Sequence, residues 1–345
     1  MKKTILAVCM LIAASFVLLS PALSAKRAKT KAEPVPTGPI TRQFIQNMPL
    51  SNGISATITV VGDQSEETRI QSVIGQILSD LSRLDMEING PPNGEISKIN
   101  SLSKGERLEL SDELFNFISK ARALAAMTGG KFDITEGYKR IALDFKKKTF
   151  AFKDNDMKID VATVWPAYLV DMAINKIVLE NIANAKVEIG NVNRNVGRDI
   201  YTPWNVSVSI PNPNATNAYR AVVYSFSNKA VASQTAETMS AILNGSNEDK
   251  SVSNGYKNVT VFGGDSMTVS AFAVALYSMG PKSAPTFVQR HPEVKGVFVD
   301  EEGNLSTSRD FQVGRPNYES EPPPIVGLDR GGNDLSQKKR EEAKD

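Results

Sequence analysis

The chain of 345 residues carries one histidine, His291, and one cysteine, Cys9. That scarcity removes most nucleophile–base pairs and every imidazole or thiolate metal cluster. His291 stands in QRHPEVKG between an apparent helix and a strand, which reads as a surface turn. No G-x-S-x-G elbow and no phosphate loop is present. A metal site here would rest on carboxylates, hydroxyls and carbonyls, the ligands of magnesium or calcium. Three stretches could supply polar groups. GGDSMTVSAFAVALYSMGPK (263–282) places Thr268 and Ser270 in the first turn of a helix, where free N–H groups favour anions. IGNVNRNVGRD (189–199) gathers Asn191, Asn193 and two arginines in what reads as a loop. NGEISKIN (93–100) sets Glu95, Ser97 and Asn100 beside a turn signal.

The elements that must position these groups alternate irregularly. GISATITVVG reads as a strand, and EETRIQSVIGQILSDLSRLDMEI follows with apolar residues at helical spacing. SDELFNFISKARALAAMTGG opens on a Ser-Asp-Glu cap and closes on two glycines, a second helix. VDMAINKIVLENIANA (170–185) reads as a third helix and KVEIGNV as the strand after it. PWNVSVSI, AVVYSFS and KNVTVFGG are strand-like, and KGVFVDEEGNLSTS reads as a late hairpin. In the helix at 263–282, Ser266 or Thr268 is the expected cap and Gly280-Pro281 the expected stop. The order implies an α+β domain with a mixed or antiparallel sheet flanked by helices.

Composition bounds the setting. Forty Lys+Arg against 38 Asp+Glu is a near-balanced charge that does not point to a nucleic-acid surface. Lys2 and Lys3, an apolar run and SPALSA predict a secretory signal peptide over residues 1–25, with export to the periplasm. The surroundings of Cys9 do not suit a lipoprotein signal, and a mature chain would hold no cysteine and no membrane span. Residues 26–40 read as a basic, Pro-rich linker, 41–312 as the folded domain and 313–345 as a disordered tail.

Taken in order, the segments over roughly residues 43 to 312 resemble the ApbE family of FAD:protein FMN transferases, formerly thiamine biosynthesis lipoproteins. NGEISKIN resembles the family's S-E-I-S-x-x-N, and TGGKFDITEG (128–137) its G-G-x-F-D-P-T-x-G. KIDVATVWPAYLVDMA (158–173) lies where the family has L-D-L-G-G-I-A-K-G-Y-A-V-D. VEIGNVNRNVG with PWNVSVSIPNP, then AVASQTAE, are similar to V-N-L-G-G-N-I-x-x-x-G with P-W-x-V-G-I-x-x-P, and to A-V-A-T-S-G. The helix at 263–282 is similar to D-A-M-T-A-D-A-L-A-T-A-L-F-V-x-G. The resemblance implies FAD and magnesium as cofactors, and an envelope flavoprotein or redox complex as the acceptor of FMN on a threonine. It also implies a ligand region that includes Glu95, Ser97, Asn100, Phe132, Asp133, Asn191, Asn193 and Thr268.

The positions that carry the family's chemistry differ. Its metal-binding aspartate and threonine fall on Ser270 and Val274, at i and i+4 on one helix face. Its glycine-rich loop reads Ala162-Thr163-Val164-Trp165-Pro166-Ala167, with Pro166 at the lysine. Its histidine falls at or beside Ala241, and its Asp-Pro pair reads Asn244-Gly245. The implied protein is an exported family member without a catalytic residue or metal ligand set, acting as a binding or assembly factor. Two alternatives stay open: an active transferase using Asp265, Thr268 and Ser270 as oxygen ligands, and a pocket re-tuned for another ligand with Trp165 stacked on it.

Overall fold

In a computed structural model of the chain, residues 40–311 are described apart from 52, 136, 212–218, 244–254 and 310, together with 317–319. The expected signal peptide, nearly all of the linker and most of the tail lie outside the described residues. Strands β1 (Thr41–Pro49) and β2 (Ser55–Asp63) lead into helices α1 (Glu67–Asn89) and α2 (Glu95–Ile99). Then come β3 (Leu108–Glu109), α3 (Asp112–Met127), β4 (Ile141–Asp144), β5 (Thr149–Phe152) and α4 (Trp165–Leu179). Strands β6 (Ala185–Ile189), β7 (Val192–Val196), β8 (Trp204–Pro211), β9 (Tyr219–Phe226) and β10 (Ala230–Thr235) precede α5 (Ala236–Leu243). The chain continues through β11 (Tyr256–Gly263), α6 (Ser266–Val288), β12 (Lys295–Asp300), β13 (Leu305–Thr307) and β14 (Asn317–Glu319).

The main sheet has eight strands in the order β1-β2-β6-β7-β10-β11-β12-β13, and every neighbouring pair is antiparallel. Helices α1, α4 and α6 cover one face. A three-stranded sheet, β14-β9-β8, packs on the other through Val208, Val222 and Tyr224 against Val231, Phe262 and Val297. Side-chain alternation along each strand feeds both layers. A third sheet, β3-β5-β4, completes the α+β fold. Asn317–Glu319, inside the segment read as a disordered tail, pair with β9. Among the described residues no helix is long and apolar enough to cross a membrane.

The helices form where apolar spacing asks for them. In α1, Ile70, Ile74, Ile77, Leu78, Leu81, Leu84 and Ile88 form one buried stripe. Ser111 caps α3, its hydroxyl accepting from the N–H of Leu114 at 3.3 Å. Two expectations are corrected. The third helix starts at Trp165 rather than Val170 and ends at Leu179, because Pro166 fits the first turn, where no N–H is needed. The cap of α6 is Asp265 rather than Ser266 or Thr268: its carboxylate accepts the Thr268 N–H at 3.0 Å. The expected stop at Gly280-Pro281 is borne out: Gly280, at φ 67°, takes the left-handed conformation and interrupts α6, and a second helical segment runs from Pro281 to Val288.

The polar run at 189–199 is not a loop either. Residues 192–196 are β7, paired with β6 and β10, so its side chains alternate between the two faces of the sheet. Gly197 ends the strand at φ 61°, and a Cβ there would lie 2.2 Å from the carbonyl oxygen of Ala183. That close approach accounts for a glycine at this point.

Candidate functional site

The segment 158–165 is where the candidate residues converge. Asn100 clamps it from α2: its Oδ1 accepts the Ile159 N–H at 2.8 Å and its Nδ2 donates to the Ile159 carbonyl at 3.0 Å. From the other side the Asp160 N–H donates to the carbonyl of Ile134 at 2.8 Å. Next to Ile134, Phe132 is buried, and Asp133 holds its own turn by accepting from the Thr135 N–H and hydroxyl and the Tyr138 N–H. Both Asn100 and Asp133 therefore spend their polar atoms on holding the local chain.

Segment 158–165 then meets the first turns of α6. Ser270, 2% exposed, donates its hydroxyl to the Thr163 carbonyl at 3.1 Å. Val274, one turn on, is buried among apolar side chains. Trp165 is 1% exposed. Its ring stacks on Tyr168 at 5.4 Å, meets Phe117 edge-on at 5.2 Å, and its indole N–H donates to Asp85 at 2.8 Å. A ring enclosed in this way presents no face to a ligand, which goes against the alternative of Trp165 stacked on a bound molecule: it fills core between α1, α3 and α4.

The N-terminus of α6 is occupied by the protein's own carboxylates. Asp171, from α4, accepts the N–H of Ser266 at 2.8 Å and of Met267 at 3.1 Å, while Asp265 takes that of Thr268. Two cations balance them. Arg194 of β7 donates to Asp171 at 2.8 Å, and Lys120 of α3 donates to Asp265 at 2.7 Å with Asp171 at 4.0 Å. Anionic side chains at a helix N-terminus satisfy both the free N–H groups and the dipole. A phosphate would have to displace them.

Burial works against the charged form of Asp265, but the Lys120 ammonium and the Thr268 N–H outweigh it and hold the carboxyl below the usual carboxylate range. A depressed folded pKa contributes stability that is complete above the unfolded value of 3.8 and is lost as pH falls through the folded value. Asp265→Asn keeps a cap but loses the ion pair. Its urea midpoint should lie below that of the parent at neutral pH, with the gap closing as both are titrated to pH values under 3.8. A gap that persists unchanged in acid would assign the effect to something other than the charge.

The remaining candidates lie apart from this junction. Glu95 opens α2, accepts the Ser111 N–H at 3.0 Å, and lines a surface cleft of about 530 Å³ with Gly90, Asn93 and Lys98. Ser97 is exposed on the same short helix. Asn191 donates to the Ser233 carbonyl at 2.5 Å across the β7–β10 edge. Asn193 alternates with Arg194, so it faces away from Asp171 and α6. Thr268 is half-buried beside Asp265. His291 pairs with Glu293 at 2.9 Å and packs edge-on to Phe272, in agreement with a turn role. Ala241 falls within α5, and Asn244-Gly245 lie outside the described residues. Sequence reading missed Lys120 and Arg194 as members of the α6 network. Each reaches its carboxylate only through the fold, across 145 and 23 residues.

A divalent cation does not fit the Ser270–Val274 face. Val274 has no oxygen, the Ser270 hydroxyl is committed to Thr163, and Asp171 and Asp265 are bonded to backbone and to cations. Among the described residues no group of three or more Asp, Glu, His or Cys is placed to hold a metal.

Comparison with known proteins gives the following. The sequence model of the ApbE family matches residues 53–138 and 136–298. The fold is similar to the apo form of the flavinyl transferase ApbE from Pseudomonas stutzeri, at 15% identity and TM-score 0.67, over 78% of this chain and 95% of that one. It is also similar to the flavin transferase ApbE from Vibrio cholerae, at 16% and 0.66, over 79% and 99%. The ApbE protein from Thermotoga maritima aligns at 20% and 0.63, over 78% and 98%. No curated protein matches the chain in sequence.

Proposed function

This chain belongs to the ApbE family, and from that premise we infer that it keeps the flavin transferase scaffold without metal-dependent flavin transfer, serving as a binding or assembly factor in the cell envelope. One observation carries the reading: where the family places two metal ligands, Ser270 is turned into a hydrogen bond with Thr163 and Val274 is apolar. A hard dication needs several oxygen donors with net negative charge, and this face offers neither. The carboxylates nearby serve as caps with their own counter-ions, which also speaks against a rearranged site built on Asp265, Thr268 and Ser270. Export to the periplasm, read from residues 1–25, belongs to the same reading.

Flavin is the ligand class to examine first, since the P. stutzeri and V. cholerae neighbours are flavin transferases. Calorimetric titration of the full chain with FAD should give the same result with and without magnesium, and no FMN should appear on a threonine-bearing acceptor. The double substitution Ser270→Asp, Val274→Thr restores the family's residues on that helix face. Magnesium should then change the titration in the variant only. Magnesium-dependent FAD binding by the unaltered chain would overturn the reading.

A further inference from the structure

The break at Gly280 leaves a second polar region at the far end of α6. Lys282 lies beyond that break, on the second helical segment, whereas Ser270 lies on the first. A cleft of about 510 Å³ opens there, between the turn that closes α3 and the resumed helix. Its chemistry is one-sided. Lys131 stands on one wall, Lys282 and Arg290 on the other, and no acidic side chain lines it. The cleft beside α2 differs, with Glu87 and Glu95 set against Lys98.

Local structure brings the three cations together. Lys282, Thr286 and Arg290 recur every fourth residue, which keeps them on one side of the helix and its closing turn. Lys131 is delivered by a glycine turn: Gly129 and Gly130 have φ 63° and 78°, and the Gly130 N–H returns to the Ala125 carbonyl at 2.7 Å. The Thr128 hydroxyl stiffens that turn by donating to the Leu124 carbonyl.

Several other basic residues of the described surface are paired with carboxylates, among them Arg42, Arg69, Arg83, Arg140, Lys148 and Lys176, while others, Lys104 and Lys257 among them, stand singly outside any such cleft. No ion pair joins Lys131, Lys282 or Arg290 to a carboxylate among the described residues. Three like charges around one cleft repel one another and are relieved by an anion. Two lysine point charges and an arginine fork suit a phosphate. Half-buried Phe287 in the same wall adds an apolar surface.

We propose that this cleft binds a small phosphorylated organic molecule, its phosphate held by Lys131, Lys282 and Arg290 and its apolar part laid against Phe287. The site is separate from the Ser270–Val274 face and does not rest on the loss of transfer activity.

The test is calorimetry on the full chain with phenyl phosphate and inorganic phosphate as probes, at low ionic strength. Phenyl phosphate should bind saturably at one site, more tightly than inorganic phosphate. Lys282→Glu with Arg290→Glu should weaken it on the order of tenfold or more, since each reversal places a repulsive charge within about a Debye length of the ligand. Lys104→Glu with Lys257→Glu changes net charge equally at exposed positions outside the cleft and should leave binding unaltered. All four substitutions are at exposed residues, and a thermal melt verifies that each variant is folded. The proposal is overturned by absence of saturation, by equal weakening in both double variants, or by inorganic phosphate binding as tightly as phenyl phosphate.

Discussion

Replacing Asp171 by alanine should lower stability by about 3–5 kcal/mol, the range for removing one partner of a buried charged network. The carboxylate is mostly buried and accepts from three donors: Arg194 and the N–H groups of Ser266 and Met267. Its loss leaves a largely buried guanidinium without a counter-ion and two helix N–H groups without acceptors. For a domain of this size that corresponds to a drop in melting temperature on the order of 10 °C. Urea denaturation of Asp171→Ala, Arg194→Ala and the double variant forms a cycle that isolates the pair. The double variant should be less destabilised than the sum of the singles, because the stranded cation is gone. Strict additivity would mean that Asp171 acts on the α6 backbone alone.

The second large effect is expected at Trp165. Trp165→Ala should cost about 3–5 kcal/mol through the cavity it leaves against Phe117 and Tyr168. Trp165→Phe keeps an aromatic ring but removes the indole N–H, leaving Asp85 with only the Ser51 N–H among its described donors. Its cost should be about 1–3 kcal/mol, that of one unsatisfied buried acceptor. Chemical denaturation of the two variants reads both numbers. A tryptophan that lined a ligand pocket would behave otherwise: its removal would alter ligand affinity and leave the denaturation midpoint close to that of the parent.

What the sequence made legible follows the range of the interactions involved. Helices α1 and α3 could be read because spacing and caps are local: Ile70 to Ile88 in one stripe, Ser111 before Asp112 and Glu113, glycines after Thr128. The start of α4 is not legible in the apolar spacing, which begins at Val170; the local signal is Pro166, which suits a first turn. Strand β7 reads as a polar loop because NVNRN lacks an apolar alternation. It is a strand because β6 and β10 claim its backbone and Asp171 claims Arg194. The same limit applied to the site. That Ser270 and Val274 share a face is a matter of helix period, but where the Ser270 hydroxyl goes depended on Thr163, 107 residues away. Trp165 was legible as bulk, while its direction toward Asp85 was set by the packing of α1, α3 and α4.

Gly280 gives α6 a joint. A side chain there would be strained in the left-handed conformation, and Pro281 and Pro285 could not both continue an unbroken helix. The chain therefore carries two short rods with independent bearings. The first is pinned by Met267, Phe272 and Tyr277 in the core, the second by Ala284 and Val288. Tilting the second rod would carry Lys282 and Thr286 with it and leave the carboxylates at Ser266 in place. One stretch of sequence thus serves two separate packing sites.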